Sequence, residues 1–285
     1  MAIPLVKMQG AGNDYVYVDA INGDVTKDEP ALARAISDRH FGVGGDGLIF
    51  IKKSRAPDAK YRMHMFNADG SQGEMCGNGL RCVAKFLFDR GLEKDKTFAI
   101  DTDAGVLTVE VFAGADKKAE QVRINMGQPR LMRAEIPMSG APADERVINQ
   151  TVEIDGKKYA FTAVSMGNPH CVIYVDDPDK TDVHGIGWKI EHHPLFPKRV
   201  NVEFVQVVSP TKLIQRTWER GTGETLACGT GASAVCVAGV LTGKSQRKVT
   251  IKLRGGELEL EWNEKDNCVY KKGPAVEVFS GIWQG

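Results

Sequence analysis

Apolar and polar residues alternate in short runs along most of the chain. Segments such as YVYVDAI, FAIDTDAGVLTVEVF and VNVEFVQVV are rich in Val, Ile, Phe and Tyr, as half-buried strands are. Helical spacing occurs in EPALARAISDRHF, GLRCVAKFLFDRG and GASAVCVAGVLTG. The last two segments end at glycines, which suit the C-terminus of a helix. The pattern predicts a mixed α/β fold with many strands and few helices.

An internal repeat divides this pattern into two similar parts. The segments GNDYVYVD and GNPHCVIYVD each run from a Gly-Asn turn into a strand that closes with Val-Asp. Cys76 follows Asn13 by 63 residues, and Cys228 follows Asn168 by 60 residues. Proline, glycine and polar residues interrupt the strands at residues 124–142, as they do at domain boundaries. The sequence therefore predicts two copies of one architecture.

Composition and charge narrow the classes of partner. The 285 residues include 37 basic and 37 acidic side chains, so we expect no nucleic acid and no anionic membrane surface as partner. The N-terminus lacks an apolar leader, and no stretch approaches about 18 apolar residues, which predicts a cytoplasmic protein. Six cysteines without a CxxC pair are typical of reduced thiols and indicate neither a disulfide scaffold nor a structural zinc site. A small-molecule ligand is favoured.

Two cysteines stand directly before Gly-x-Gly turns and apolar runs, in EMCGNGLRC and LACGTGASA. If a helix begins after Cys76 and after Cys228, its first N–H groups and the positive end of its dipole lie beside each sulfur. That setting is expected to lower the pKa of the thiol and to make the sulfur a base or nucleophile. Either cysteine alone is more typical of a small buried apolar residue, but two at equivalent points of a repeat favour a functional pair.

Two thiols that face one ligand from opposite sides suit the inversion of a stereocentre. One thiolate removes the α-proton of an amino acid, and the other thiol delivers a proton to the opposite face. Helix N-termini directed at the substrate carboxylate would stabilise the carbanion as preorganised donors. No lysine stands in a recognisable pyridoxal-phosphate setting, so we expect no cofactor and no metal.

Five motifs in order, GAGNDYVYVD, FNADGSQGEMCGNGLRC, SMGNPHCV, RVNVEF and RTWERGTGETLACGTGA, resemble the diaminopimelate epimerase family. The resemblance implies two pseudo-symmetric strand-rich domains, each a barrel-like sheet around a central helix, with the active site in the cleft between them. Residues 1–127, completed by 274–285, would form one half, and residues 128–273 the other. It also implies a homodimer and a pyridoxal-phosphate-independent isomerase that interconverts LL- and meso-diaminopimelate in lysine and peptidoglycan-precursor biosynthesis.

The resemblance also assigns site residues by position. Cys76 and Cys228 would be the acid/base thiols, with Cys76 as proton donor and Cys228 as acceptor in the LL-to-meso direction. His170 and Glu219 would adjust the pKa values of the thiols. The substrate would be bound by a larger set, of which Glu219 is also a member: Asn13, Asn67, Gly77, Asn78, Asn168, Asn201, Arg220, Gly229 and Thr230. Gly47 departs from the pattern, because some members carry a substrate-contacting glutamine there.

Two other interpretations stay open at this point. Proline and hydroxyproline racemases share the fold and also use paired thiols, but their substrate has no second carboxylate for Arg220 to bind. A non-catalytic thiol protein, acting as a redox sensor or a metal-binding module, would use the same cysteines differently. Outside the resemblance, Asn13 and Asn168 are typical turn residues, and Glu219 with Arg220 could form a surface pair.

Overall fold

The computed structural model describes residues 2–285, and Met1 lies outside them. The chain forms two compact units: the chain up to Ile124 with Lys272–Gly285, and Asn125–Lys271. The elements in chain order are β1 Ile3–Gly10, β2 Asn13–Asp19, α1 Glu29–Ser37, β3 Gly47–Lys53, β4 Tyr61–Asn67, β5 Gln72–Gly73, α2 Gly77–Asp89, β6 Thr97–Thr102, β7 Gly105–Ala113, β8 Ala119–Asn125, β9 Gln150–Ile154, β10 Lys157–Ser165, β11 Pro169–Tyr174, α3 Val183–Glu191, β12 Asn201–Ser209, β13 Lys212–Glu219, β14 Gly223–Thr225, α4 Gly229–Leu241, β15 Lys248–Leu253, β16 Gly256–Trp262, β17 Val269–Pro274 and β18 Val276–Trp283.

Strand pairing repeats between the two units. In the first unit β1 lies antiparallel to β18 and β2, and β2 is parallel to β3. β4 is antiparallel to β3 and β5 and parallel to β6, which continues into β7 and β8. In the second unit β9 to β16 pair in the same order, with β11 parallel to β12 and β13 parallel to β15. The predicted class, a strand-rich α/β fold of two pseudo-symmetric parts, is confirmed.

One helix of each unit is enclosed by its own sheet. α2 contacts β1, β2 and β7, and α4 contacts strands from β10 to β16. Because each helix touches strands far apart in the pairing order, each sheet curves around its helix. α4 has the sequence GTGASAVCVAGVL and is buried along most of its length, which explains its small apolar residues and its lack of a polar face.

A second helix covers the outer face of each sheet. α1 packs on β3 and β4 and contributes Ala33 and Ile36 to a core with strand residues such as Val16 and Phe50. α3 packs on β12 and β13, where Val183 and Ile190 join the core of the second unit.

The sequence analysis did not predict α3, because the segment VHGIGWKIE contains two glycines, which disfavour a helix. The Asp182 side chain caps its first turn by accepting the Gly185 N–H at 2.8 Å. A Cβ at Gly187 would lie 2.7 Å from the Trp218 side chain, so this glycine permits close packing that compensates for its low propensity. No helix within residues 2–285 is long and apolar enough to cross a membrane.

Candidate active site

Cys76 is the N-cap of α2. Its backbone is extended, with φ −126° and ψ 114°, and its sulfur accepts the N–H of Gly79 at 3.4 Å. The thiol donates to Oδ1 of Asn13 at 3.1 Å. Because the side chain is only partly buried, the sulfur has both a helix N-terminus and an asparagine amide beside it and keeps some access to solvent.

A carboxylate and a phenol lie near this thiol. Nδ2 of Asn13 donates to Oδ2 of Asp46 at 2.6 Å, and Asp46 pairs with Arg39 at 2.9 Å. Burial, followed by the nearby Cys76 and Asp46, raises the pKa of Tyr15. Tyr15 therefore stays a neutral phenol next to the thiol.

The other predicted residues of the first unit lie at the start of α2 and at the end of β4. Asn67 pairs with Gly47 in the β3–β4 ladder, and its amide donates to Oγ of Ser71 at 2.9 Å. Gly77 and Asn78 form the first turn of α2, whose N–H groups have no acceptor within the helix. The Asn78 side chain is buried and accepts a hydrogen bond from Arg81 at 2.9 Å, so only its backbone N–H is suited to a ligand.

Cys228 caps α4 in nearly the same geometry. Its backbone has φ −112° and ψ 108°, and its sulfur accepts the N–H of Gly231 at 3.4 Å. The sulfur also lies 3.5 Å from Oγ1 of Thr230, the second residue of the helix after Gly229. The two thiols thus occupy equivalent cap positions of the repeat.

The surroundings of Cys228 contradict one expectation. The helix N-terminus was expected to lower the thiol pKa, whereas the pKa of Cys228 is raised well above the usual value. Burial is the largest cause, followed by the negative charges of Glu219 and Glu203. Only 4 % of Cys228 is exposed, so loss of hydration outweighs the helix dipole.

His170 lies beside this thiol and is fully buried. Its Nδ1 is 2.7 Å from Oε1 of Glu203, and its Nε2 is 3.1 Å from Oδ1 of Asn168. Nδ2 of Asn168 in turn donates to Oγ1 of Thr230 at 3.2 Å. These contacts form a continuous chain of hydrogen bonds from Glu203 to the Thr230 hydroxyl, which contacts the Cys228 sulfur.

Glu219, Arg220 and Asn201 lie together at the ends of β13 and β12. Asn201 accepts the backbone N–H of Arg220 at 2.9 Å and donates from Nδ2 to a backbone carbonyl at 2.8 Å. The guanidinium of Arg220 donates to the Lys198 carbonyl at 3.0 Å. Glu219 accepts the Thr225 hydroxyl at 2.6 Å, and burial raises the pKa of its carboxyl group.

One cluster in the second unit has the side chains of a metal site. Donor atoms of His170, Glu203 and Cys228 all lie within 4.8 Å of one another. A metal ion would have to displace the hydrogen bond between His170 and Glu203 and two further donors that bind Glu203. The carboxylate of Glu203 is therefore already satisfied by hydrogen bonds from His170 and from two neighbouring residues, Gln215 and Thr217.

The structure gathers the predicted residues into one set in each unit. The first unit holds Asn13, Asn67, Cys76, Gly77 and Asn78, and the second holds Asn168, His170, Asn201, Glu219, Arg220, Cys228, Gly229 and Thr230. The sequence analysis missed three residues that contact these sets, which are Tyr15, Asp46 and Glu203. The sequence does contain a signal for Glu203, because RVNVEF places a carboxylate inside a predicted strand, between Val and Phe.

The family model described as diaminopimelate epimerase matches residues 5–132 and 162–278. A diaminopimelate epimerase from Leptospira biflexa is 55 % identical over 281 residues, which is 99 % of each chain. The chain belongs to the diaminopimelate epimerase family. Another relative in that family, from Synechocystis, is 47 % identical and also covers 99 % of each chain.

Solved structures with the same fold are far more distant in sequence. A phenazine biosynthesis protein of the PhzF family from Bacillus anthracis has a TM-score of 0.69 at 16 % identity, and 100 % of both chains is covered. A hydroxyproline epimerase from Agrobacterium vitis has a TM-score of 0.68 at 13 % identity, with 99 % of this chain and 91 % of that chain covered. These likenesses establish the fold alone.

Gly47, the position that departs from the expected pattern, has a structural reason in this chain. A Cβ at this position would lie 2.1 Å from the carbonyl oxygen of Phe66 and 2.8 Å from the Tyr15 ring. The strands β3 and β4 therefore approach each other more closely than a side chain at Gly47 permits.

Proposed function

We propose that this protein is an isomerase that interconverts LL-2,6-diaminopimelate and meso-2,6-diaminopimelate without pyridoxal phosphate. The reaction serves lysine and peptidoglycan-precursor biosynthesis. The observation that carries the proposal is the matched pair of helix caps. The sulfur of Cys76 accepts the backbone N–H of Gly79, and the sulfur of Cys228 accepts that of Gly231, each at 3.4 Å. Membership of the diaminopimelate epimerase family supports the choice of substrate.

In the proposed mechanism the two thiols act on opposite faces of the reacting carbon. In the LL-to-meso direction the Cys228 thiolate accepts the α-proton and Cys76 donates its own proton to the other face. The first-turn N–H groups after Cys76 and Cys228 would bind the reacting carboxylate and stabilise the carbanion. Burial favours the thiol form of Cys228, which is the form that donates a proton in the reverse direction.

Recognition of the second amino-acid end is assigned to the polar residues around the thiols. Arg220 can bind a carboxylate through two parallel donors, and in the structure its guanidinium donates to the backbone carbonyl of Lys198 at 3.0 Å. The amides of Asn13, Asn67, Asn168 and Asn201 offer both donors and acceptors to a zwitterion. His170 and Glu219 would set the acid–base balance of Cys228.

Hydrogen exchange at the α-carbon tests this proposal. The purified protein is incubated in heavy water with LL-diaminopimelate, and with L-proline and trans-4-hydroxyproline as controls. We expect deuterium incorporation and the meso isomer with the first substrate only. Cys76→Ser and Cys228→Ser should each abolish inversion, and exchange with proline alone would refute the substrate assignment and favour a racemase.

The same variants distinguish an enzyme from a thiol sensor or metal-binding module. Epimerase activity that survives in the Cys76→Ser, Cys228→Ser double variant would reject the catalytic model. Zinc or cadmium binding measured by calorimetry, with no turnover of any of the three substrates, would favour the metal-binding alternative.

We also propose that the protein works as a homodimer in the cytoplasm. Val276, Val278 and Ile282 of β18 are 41 %, 56 % and 62 % exposed, and several exposed apolar side chains on one strand are typical of a protein interface. The six cysteines are free thiols, as a reducing compartment requires. Val278→Lys should lower the sedimentation coefficient to that of a monomer, and an unchanged coefficient would locate the interface elsewhere.

A further inference from the structure

Glu203 is a fully buried carboxylate with no role in the assignments above. Three donors converge on it: Nδ1 of His170 at 2.7 Å, Nε2 of Gln215 at 2.9 Å and Oγ1 of Thr217 at 2.6 Å. An ionised carboxylate only accepts hydrogen bonds, and all three contacts are of this kind. Burying a carboxylate without such partners is costly, and this degree of satisfaction indicates a site built around it.

The sheet places these side chains on one face. In the parallel β11–β12 pair His170 is opposite Asn201, and Glu203, two residues along β12, points to the same side. In the antiparallel β12–β13 pair Glu203 is opposite Thr217. The first turn of α4 lies directly over the carboxylate, because a Cβ at Gly231 would be 2.5 Å from Oε1 of Glu203.

The contact with Glu203 determines which nitrogen of His170 carries a proton. Because the carboxylate accepts at Nδ1, that nitrogen is the N–H donor, and Nε2 is left to face Asn168 at 3.1 Å. A histidine whose orientation and tautomer are fixed by a carboxylate is the arrangement used in serine-protease triads.

From Nε2 the hydrogen bonds lead to the thiol. When Nε2 is protonated, it donates to Oδ1 of Asn168, the amide donates to Thr230 at 3.2 Å, and the Thr230 hydroxyl can donate to the Cys228 thiolate at 3.5 Å. The imidazole of His170 is thereby connected to the Cys228 sulfur through the Asn168 amide and the Thr230 hydroxyl.

We propose that Glu203 is a positioning residue of the epimerase, which holds His170 in its Nδ1–H tautomer and so orients the Asn168–Thr230 chain towards Cys228. This inference rests on the proposed function, since it assigns Cys228 as an acid/base group. The hydrogen bonds of Glu203 run to His170, Gln215 and Thr217, so its positioning role is exerted through the imidazole, while its charge also contributes to the raised pKa of Cys228.

A double-mutant cycle on turnover tests this dependence. Glu203→Gln keeps the shape and removes the charge, and we expect kcat to fall by about 10- to 100-fold, as for other residues that orient a functional histidine, with KM changed less than threefold. In a His170→Asn background the same substitution should change kcat by less than about twofold. Equal factors in both backgrounds, or an unchanged kcat in Glu203→Gln alone, would overturn the proposal.

The controls separate positioning from stability. Glu224→Gln removes another buried carboxylate of the same unit, which pairs with Arg216 at 2.7 Å, and it should lower stability while leaving kcat unchanged. Glu203→Asp retains the charge and should recover part of the lost kcat. If Glu203→Gln does not fold, Glu203→Asp and Thr217→Val replace it in the double-mutant cycle. We expect each of them to lower kcat by a smaller factor, and this loss should again vanish in the His170→Asn background.

A spectroscopic readout does not depend on turnover. In protein labelled with ¹⁵N-histidine, the His170 signal, assigned by its loss in His170→Asn, should show a protonated Nδ1, and Glu203→Gln should convert it to a tautomer mixture. An unchanged signal would overturn the positioning role. If the wild type shows this signal but does not epimerise LL-diaminopimelate, the proposed function has failed and the positioning of His170 has not.

Discussion

Replacing Glu224 by glutamine should produce a stability loss that depends on pH. Glu224 binds Arg216 through two hydrogen bonds of 2.7 and 2.9 Å, and His184 and Arg254 lie within 3.1 Å. These contacts lower the pKa of Glu224 from 4.5 to about 2, with the Arg216 hydrogen bond as the largest cause. A shift of that size corresponds to about 3.4 kcal/mol at neutral pH.

The expected loss is smaller than this limit. Side chains of His184 and Arg254 are 69 % and 51 % exposed, so water and salt screen their share of the interaction. We expect Glu224→Gln to lower the free energy of unfolding by about 2 kcal/mol at pH 7. For a unit of this size the loss corresponds to a Tm lower by about 4–8 °C.

The sign of the pH dependence follows from the lowered pKa. The stabilisation by Glu224 is complete above the unfolded-state pKa of 4.5 and is lost as pH falls towards 2. Urea unfolding of the wild type and Glu224→Gln from pH 7 to pH 3, followed by circular dichroism, should therefore give curves that converge. At pH 3 the difference should fall to about 40 % of its neutral value. A constant difference across this range would mean that shape, and not charge, causes the loss.

Three further predictions concern the site and the C-terminal segment. Alkylation of Cys228 by iodoacetamide, followed by peptide mass spectrometry, should require a pH above that of an ordinary thiol, and Glu219→Gln should lower the midpoint because it removes a negative charge. An unmoved midpoint would show that the charge of Glu219 does not contribute. Gly47→Ala should lower the free energy of unfolding by about 1–3 kcal/mol in urea titrations, because the added Cβ overlaps the β4 backbone. A stability like that of the wild type would show that β3 shifts to accommodate the Cβ without cost. Deleting Lys272–Gly285 removes β18 from β1 and should leave the first unit sensitive to proteolysis, and equal resistance of the truncated chain would contradict this.

Most of the fold could be predicted because its signals are local. Alternating strands and cysteine-capped helices are visible in single segments, and the similar offsets between Asn13 and Cys76 and between Asn168 and Cys228, 63 and 60 residues, indicated the repeat. α3 could not be predicted, because it depends on packing of Gly187 against Trp218, 31 residues away in sequence. Tertiary contact overrides helix propensity there.

The candidate site could also be predicted only in part. Cap geometry follows from the residues next to each cysteine, and the structure has both caps where the sequence predicts them. The raised pKa of Cys228 could not be predicted, because its causes are burial and the carboxylates of Glu219 on β13 and Glu203 on β12. Glu203 is informative only when β12 is placed beside β11, since its partner His170 is 33 residues away.

The repeat explains why two nearly identical caps hold thiols of different character. Strand pairing places Tyr15 opposite Gly47 in the first unit and His170 opposite Asn201 in the second, so Ile49 is the counterpart of Glu203. The glycines confirm this equivalence, because a Cβ at Gly79 would meet Ile49 at 2.7 Å, as one at Gly231 would meet Glu203.

The first unit thus places a phenol and an aliphatic side chain where the second places an imidazole and a carboxylate. An inversion by two bases needs one proton donor and one acceptor at any moment. A symmetric duplication would surround both thiols alike, and the residues at these two paired positions make their surroundings different. The ionisable pair then belongs to the thiol that is more deeply buried, Cys228, where loss of hydration most disfavours the thiolate. There His170 is connected to the Cys228 sulfur through Asn168 and Thr230, and in the proposed mechanism we expect this imidazole to assist the charged form during the reaction.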